Sequence, residues 1–139
     1  MDSISRSLLA LVCIVAVAST ATAAEPVDFA HDVQPILAKH CFECHGPDTQ
    51  ESRLRLDVRD WVLRGGESGE PAIIPRDAGN SHLVKLVSSR SEQTRMPPGG
   101  PALSSDEIGM LTRWIDQGAP WPDELAGRDE PVATTTTHW

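Results

Sequence analysis

The chain has 139 residues, with 12 Lys and Arg against 20 Asp and Glu, and therefore a formal net charge of −8 at pH 7. This length corresponds to one domain and excludes an enzyme with separate substrate and cofactor domains. The acidity and the low aromatic content argue against a nucleic-acid or anionic-membrane partner, because phosphate groups are bound by clustered basic side chains and bases stack on aromatic rings.

The N-terminal segment has the pattern of a signal peptide. An unbroken apolar run covers Leu8–Ala18, follows Arg6 and precedes small residues that include the A-x-A motif Ala21–Ala23. The run is too short to cross a bilayer, although an uncleaved anchor helix is the alternative. We predict that residues 1–24 are a signal peptide, that the protein is exported to a periplasmic or other extracytoplasmic space, and that no stable membrane span remains after cleavage.

The residues that follow predict short helices. Asp28 can cap a first helix whose apolar face ends at Cys41, with a kink or a separate first turn at Pro35. A second helix is predicted over Val58–Arg64, and a third begins after Ser81, which can act as its cap. These helices are short, and the segments between them are rich in Gly and Pro.

The second half of the chain has one strong helix signal. The segments 65–79 and 95–101 are predicted loops, because proline lacks a backbone donor and glycine favours turns. Ser104 and Glu107 form a capping box ahead of an apolar face, which predicts a helix over residues 105–117.

The pentapeptide Cys41–His45 has the sequence C-x-x-C-H, the pattern of covalent haem attachment. Two thiols at this spacing on one helical turn can each add to a vinyl group of the same haem. His45 is then held under the iron as an axial ligand. Export agrees with this interpretation, since haem of the c type is attached outside the cytoplasm. The pattern therefore predicts one covalently bound haem c on Cys41 and Cys44.

Three other interpretations of the cysteine pair are weaker. A redox-active pair is typical of a β-α-β surround and usually lacks the following His. A zinc site needs a fourth ligand and usually a second pair of cysteines. A structural disulfide between Cys41 and Cys44 closes too small a loop to contribute much stability.

The second axial ligand of the iron has several candidates. The sequence favours Met96, because it lies in a Pro- and Gly-rich loop that can place a thioether over the distal face of the haem. His82, just after a helix cap, is its main rival, and an open position is the other alternative. The remaining candidates have more ordinary roles as core, capping or solvated residues; they are Met110, His31, His40 and His138.

Basic residues between the haem motif and the first loop are candidates for contacts with the haem propionates. Arg55, Arg59 and Trp61 carry donors that a partly buried carboxylate needs. The competing interpretation, which we favour for each residue, is a solvated face that balances Asp57 and Asp60.

Together the ordered motifs of residues 28 to 122 resemble the planctomycete-type cytochrome c domain and, more broadly, class I cytochromes c. The residues that carry the resemblance are Phe29 with Asp32–Leu37, Cys41–Pro47, Leu54–Asp57, Gly65–Gly69 with Pro71–Pro75, Ser81–Leu83, Met96–Pro98 and Trp114–Ala119. The resemblance implies an all-α, loop-rich cytochrome c-like fold around one covalent haem, with His45 and Met96 as axial ligands. We assign residues 25–122 to this domain and residues 123–139 to a polar linker or tail.

The expected function is outer-sphere electron transfer by an exported mono-haem cytochrome, acting as a carrier rather than as a catalyst. The acidic surface predicts a redox partner with a basic docking patch. The alternative is a module of a larger exported enzyme system, either as its electron inlet or outlet or as a haem sensor. Domains of this family usually open much longer proteins, whereas this sequence stops at His138-Trp139.

Overall fold

The computed structural model describes residues 23–127 as helices joined by long loops. The α-helices of this part are α1 (Gln34–His40), α2 (Phe42–His45), α3 (Arg59–Arg64), α4 (His82–Val87) and α5 (Ser105–Asp116). A π-helical turn, Phe29–Val33, leads into α1, and 3-10 turns cover Glu51–Arg53 and Asp123–Leu125. Residues 23–127 contain no β-strand, so the predicted all-α fold is confirmed.

The chain enters the first helix as the sequence predicts. The Asp28 carboxylate accepts a hydrogen bond from the backbone N–H of His31 at 2.8 Å, which caps the turn. The turn itself is wide and π-helical. Pro35 then occupies the first turn of α1. A backbone N–H in the first turn has no partner within the helix, so proline is tolerated there. The predicted break at this proline is therefore a change of helix type.

The C-terminal helix α5 begins at the predicted capping box, in which Ser104 and Glu107 exchange side-chain and backbone hydrogen bonds. Its buried face consists of Leu111, Trp114 and Ile115. Gly118, with φ of 98°, ends the helix in the left-handed conformation that glycine adopts without strain. The sequence thus predicted both ends of α5 to within one residue.

An aromatic cluster joins the two ends of the described chain. The ring of Phe29 stacks on Trp121 with centroids 4.1 Å apart, and it lies 5.6 Å from the ring of Trp114. The Trp114 indole donates to the Pro120 carbonyl at 2.8 Å, so its polar atom is satisfied although the side chain is buried. This cluster holds the π-helical turn against α5.

The structure differs from the prediction at the start of α4. Ser81 occupies the capping position, but its hydroxyl makes no bond to the helix. It donates instead to the Asp77 carbonyl and accepts from the Ile74 N–H, both at 2.8 Å. Ser81 is fully buried, and its hydroxyl satisfies the backbone of the preceding loop rather than that of α4.

The predicted tail also differs over its first residues. Residues 123–127 pack against the domain, because the Ala126 carbonyl accepts from the Arg59 N–H at 2.8 Å and the Leu125 carbonyl accepts from the Trp121 indole at 2.8 Å. The packed domain therefore extends beyond Pro122 to Gly127.

Two sequence predictions lie outside the described residues. These are the signal peptide, apart from its last two residues, and the part of the tail from residue 128 onward. Within residues 23–127, no helix has the length and apolar character that crossing a membrane requires.

Candidate functional site

A cavity of about 380 Å³ opens between the helices and loops of the domain. One wall is the end of α1 together with α2, and another is α4, which contributes Leu83, Leu86 and Val87. The loops around residues 66–70 and 93–98 complete the lining. Most of the lining is apolar, and the volume lies in the range of sites that enclose a small molecule.

The C-x-x-C-H segment forms one end of this cavity. Cys41, Cys44 and His45 all line it, because the segment turns as a single helical unit. The backbone N–H groups of Cys44 and His45 both donate to the Cys41 carbonyl, at 3.1 and 2.8 Å. Cys41 is buried, and that burial, together with the nearby Cys44, raises the pKa of its thiol to about 12. No disulfide joins Cys41 to Cys44.

The ring of His45 is held in one orientation. Its Nδ1 lies 3.1 Å from the Glu51 carbonyl oxygen. Because a carbonyl oxygen only accepts hydrogen bonds, this contact requires the ring proton to be on Nδ1. The bond fixes the tautomer, so Nε2 is left as the acceptor nitrogen, with its lone pair available to a metal ion. His45 thus has the hydrogen-bonding arrangement of a metal-ligating imidazole.

Met96 lies in the same cavity as the cysteines and His45. Its backbone N–H donates to the Leu86 carbonyl at 3.2 Å, which ties the Met96 loop to α4. The side chain is half-buried and packs against the hydrophobic core, and the next two prolines also line the cavity. The structure therefore brings the four residues of the predicted haem site, from two distant segments, to one cavity.

The rival ligand His82 also lines this cavity. Its Nδ1 lies 2.7 Å from a carboxylate oxygen of Glu70, another lining residue. The contact lacks hydrogen-bond geometry, and Nδ1 has no other hydrogen-bond partner among the described residues. Met96 and His82 are thus both cavity residues, one on a loop and the other at the start of α4.

The other ligand candidates have different surroundings. His31 is exposed and pairs with Asp32 at 2.8 Å, as expected of a solvated residue. Met110 packs against the core from α5 and does not line the cavity. His40 does line it, but its Nε2 bonds to Glu107 at 2.9 Å and its side chain is largely buried. His138 lies outside the described residues.

The candidates for propionate contacts do not line the cavity. Arg55 makes a two-bond contact with Asp57, at 3.1 and 2.6 Å. Arg59 bonds to Asp123 at 3.1 Å, on the side of the domain that holds the C-terminal 3-10 turn. The Trp61 indole N–H is buried without a hydrogen-bond partner in the described part of the chain. Arg55 thus pairs with one of the two carboxylates that the competing interpretation names, although both side chains are largely buried, whereas Arg59 pairs with Asp123 instead.

Two features of the site have no clear sequence signal. A Cβ atom on Gly46 would clash with the Phe42 carbonyl, and one on Gly66 would clash with the Ser52 carbonyl, so both positions depend on glycine for close backbone packing. The second feature is the bond between His40 and Glu107, which joins residues 67 positions apart. A pairing at that separation leaves no local pattern.

The donor set of the cavity fits a covalently attached haem. Two thiols could form thioethers, and the oriented imidazole and the Met96 thioether could each bind the iron. The apolar lining matches the macrocycle, and the lining also includes the polar side chains Ser68, Gln93 and Thr94.

Comparison with known proteins gives one finding. The family model described as "Planctomycete cytochrome C" matches residues 41–100, a segment that begins at the first cysteine of the motif and includes Met96. No curated protein and no solved structure matches the chain significantly.

Proposed function

Since residues 41–100 match the model of the planctomycete cytochrome C family, we propose that this chain belongs to the family and is an exported cytochrome that carries one haem c and transfers electrons. The family implies a haem. The covalent attachment, the ligand pair and the electron-transfer role are the content of the proposal.

The observation that carries the proposal is the convergence of Cys41, Cys44, His45 and Met96 on one apolar cavity. Cys41 and Cys44 would hold the group through thioethers. His45 would bind the iron through Nε2, because its Nδ1 is engaged by the Glu51 carbonyl. Met96 would supply the other axial ligand through its sulfur. These four residues come from two segments, so no local constraint forces them together.

The bound haem supplies one-electron chemistry at the iron. A thioether ligand stabilises the ferrous state and raises the reduction potential. If His45 and Met96 both bound the iron, no ligand position would remain for a substrate, which favours electron transfer without bond formation. The protein then acts by orienting two ligands and excluding water from the apolar cavity.

The proposal also includes export of the chain and a basic redox partner. The signal peptide pattern of residues 1–24 would deliver the chain to the compartment in which haem c is attached. The net charge of −8 would favour a redox partner whose docking face is basic.

The test is expression of the full chain together with a c-type maturation system. We expect haem that remains on the polypeptide after denaturation, and that is lost in the double variant with Cys41→Ala and Cys44→Ala. The ferric protein should have the far-red absorption band of a sulfur-to-iron bond. Met96→Ala should abolish that band, whereas Met110→Ala, the matched control outside the cavity, should retain it.

Two results would contradict the proposal. Absence of covalent haem in the wild-type chain would rule out a c-type cytochrome. A far-red band that survives Met96→Ala would rule out Met96 as the ligand.

The position of His82 in the cavity, as a rival to Met96, favours a second function, that of a haem sensor. A distal Met96 that exchanges readily would leave the iron open to an external ligand. Carbon monoxide separates the two functions, because a carrier in the ferrous state would be inert to it and a sensor would bind it readily.

A further inference from the structure

The Glu107 carboxylate makes two separate sets of contacts, one with each of its oxygens. Oε2 accepts from the Ser104 backbone N–H at 2.8 Å and from the Ser104 hydroxyl at 3.0 Å, as part of the cap of α5. Oε1 accepts from His40 Nε2 at 2.9 Å and from Lys39 Nζ at 3.3 Å. The same side chain therefore caps α5 and joins it to the last residues of α1.

The contact with His40 is the shielded one. The His40 side chain is 9% exposed and Glu107 is 22% exposed, whereas Lys39 is 68% exposed. A hydrogen bond to a charged group is stronger when water is excluded, and an exposed lysine contributes little. In agreement, the hydrogen bond from His40 is the main cause that lowers the pKa of Glu107 to about 2. The link between α1 and α5 thus depends on His40.

The His40–Glu107 contact connects the two segments that carry the predicted haem-binding residues. His40 immediately precedes Cys41, and both residues line the cavity. Ser104 ends the loop that starts at Met96, and the other end of that loop is tied to α4 by the bond from the Met96 N–H to the Leu86 carbonyl. The loop that carries the thioether therefore has both ends fixed, one of them through Glu107.

We propose, on the basis of the haem-binding function proposed above, that the His40–Glu107 hydrogen bond is a positioning contact that keeps Met96 on the iron. It fixes the end of the Met96 loop to the helix that leads into the haem-attachment cysteines. His40 and Glu107 act through the loop and are not ligands of the iron.

The test compares two replacements of His40 that have similar size. His40→Leu fills the space without a donor, whereas His40→Gln retains an N–H group that can reach Glu107. In His40→Leu we expect the far-red sulfur-to-iron band to weaken and the affinity of the ferrous protein for carbon monoxide to rise about tenfold, equivalent to about 1.4 kcal/mol. In His40→Gln we expect both properties to return towards those of the wild-type protein.

Ser104→Ala separates the positioning contact from the general stability of α5. This variant removes the hydroxyl of the cap but leaves the His40–Glu107 contact in place, so it should be less stable and still retain the band. Asp106→Ala, at an exposed position in the same turn, should change neither property. Every variant should carry covalent haem at the wild-type level, because the cysteines are unchanged.

Equal weakening of the band in Ser104→Ala and His40→Leu would overturn the proposal, since helix stability alone would then control Met96. A wild-type band and wild-type carbon monoxide affinity in His40→Leu would also overturn it. Failure of the underlying haem assignment is recognised separately, because the band would then be absent from the wild-type protein itself.

Discussion

At the residue scale, the site depends on groups that orient the chemically active side chains. The Glu51 carbonyl oxygen lies 3.1 Å from Nδ1 of His45 and fixes its ring. The Glu107 carboxylate lies 2.9 Å from Nε2 of His40, the residue before Cys41. A backbone acceptor and a carboxylate thus determine where two imidazoles point. Such bonds set the tautomer and the direction of a ligand before any metal is present.

The Glu107 carboxylate predicts a specific dependence of stability on pH. Its pKa is lowered from 4.5 to about 2, chiefly by the hydrogen bond from His40 and then by the bond from the Ser104 backbone. A carboxyl group with a lowered pKa in the folded state stabilises the fold fully above its unfolded value. This contribution is therefore complete above pH 4.5 and is lost as the pH falls towards about 2.

The measurement is the thermal unfolding midpoint of the wild-type protein and of Glu107→Gln over this pH range. We expect the wild-type protein to have the higher midpoint above pH 4.5, and the difference to shrink and close near pH 2. Glu124→Gln, an exposed glutamate of the C-terminal 3-10 turn, is the control. A difference that stayed constant across the range would show that the charge of Glu107 does not stabilise the fold.

The residues of the site were predictable from sequence to different degrees. Cys41, Cys44 and His45 form a contiguous motif, and Met96 has a distinctive loop around it, so the sequence identified all four as candidates. Arg55 and Arg59 were named for their donors and their place between the haem motif and the first loop, and charge near a motif does not say which way a side chain points. The role of His40 could not be predicted, because its partner is 67 positions away.

At the element scale, helices with local signals were predicted well. Helix α5 has its cap, its apolar face and its terminal glycine in one continuous segment, and the structure confirms each of them. For the start of α4 the sequence signal was a single serine, Ser81. Because Ser81 is buried, its hydroxyl bonds to the preceding loop, and tertiary packing decided its role. A cap predicted from one residue is thus weaker than a reciprocal pair.

Removal of the α5 cap should lower stability by a modest amount. In Ser104→Ala the N–H of Glu107 loses the acceptor that lies 3.2 Å away, and a lost cap of this type costs about 1 kcal/mol. Chemical denaturation of the haem-loaded protein measures this cost. Ser105→Ala, one position later and not a cap, is the matched control and should cost less. Equal losses in the two variants would mean that the capping box is not what stabilises this end of α5.

At the scale of the whole molecule, the cavity and the charge act together. The predicted leader, residues 1–24, contains one acidic and one basic residue, Asp2 and Arg6, so residues 25–139 carry the same net charge of −8 as the whole chain. Haem propionates would make the charge more negative still. Two exposed carboxylates of the cavity lining, Glu67 and Glu70, place part of this charge at the opening of the cavity. A negative potential at that opening attracts cations and repels anions.

This charge predicts opposite effects of salt on two kinds of electron-transfer reagent. The rate with a cationic one-electron reagent should fall as ionic strength rises, whereas the rate with an anionic reagent should increase. The reason is that salt screens attraction and repulsion alike, with a screening length of about 10 Å at 0.1 M. Stopped-flow measurement with one reagent of each sign gives the slope of the rate against ionic strength for both.

The double variant with Glu67→Gln and Glu70→Gln should flatten both slopes. Asp60→Asn, which changes an exposed carboxylate of α3 outside the cavity lining, should change the slopes less. If the two variants had equal effects, the total charge rather than the cavity opening would steer the reagent. If the two reagents responded to salt in the same direction, the acidic surface would have no part in the approach of a redox partner.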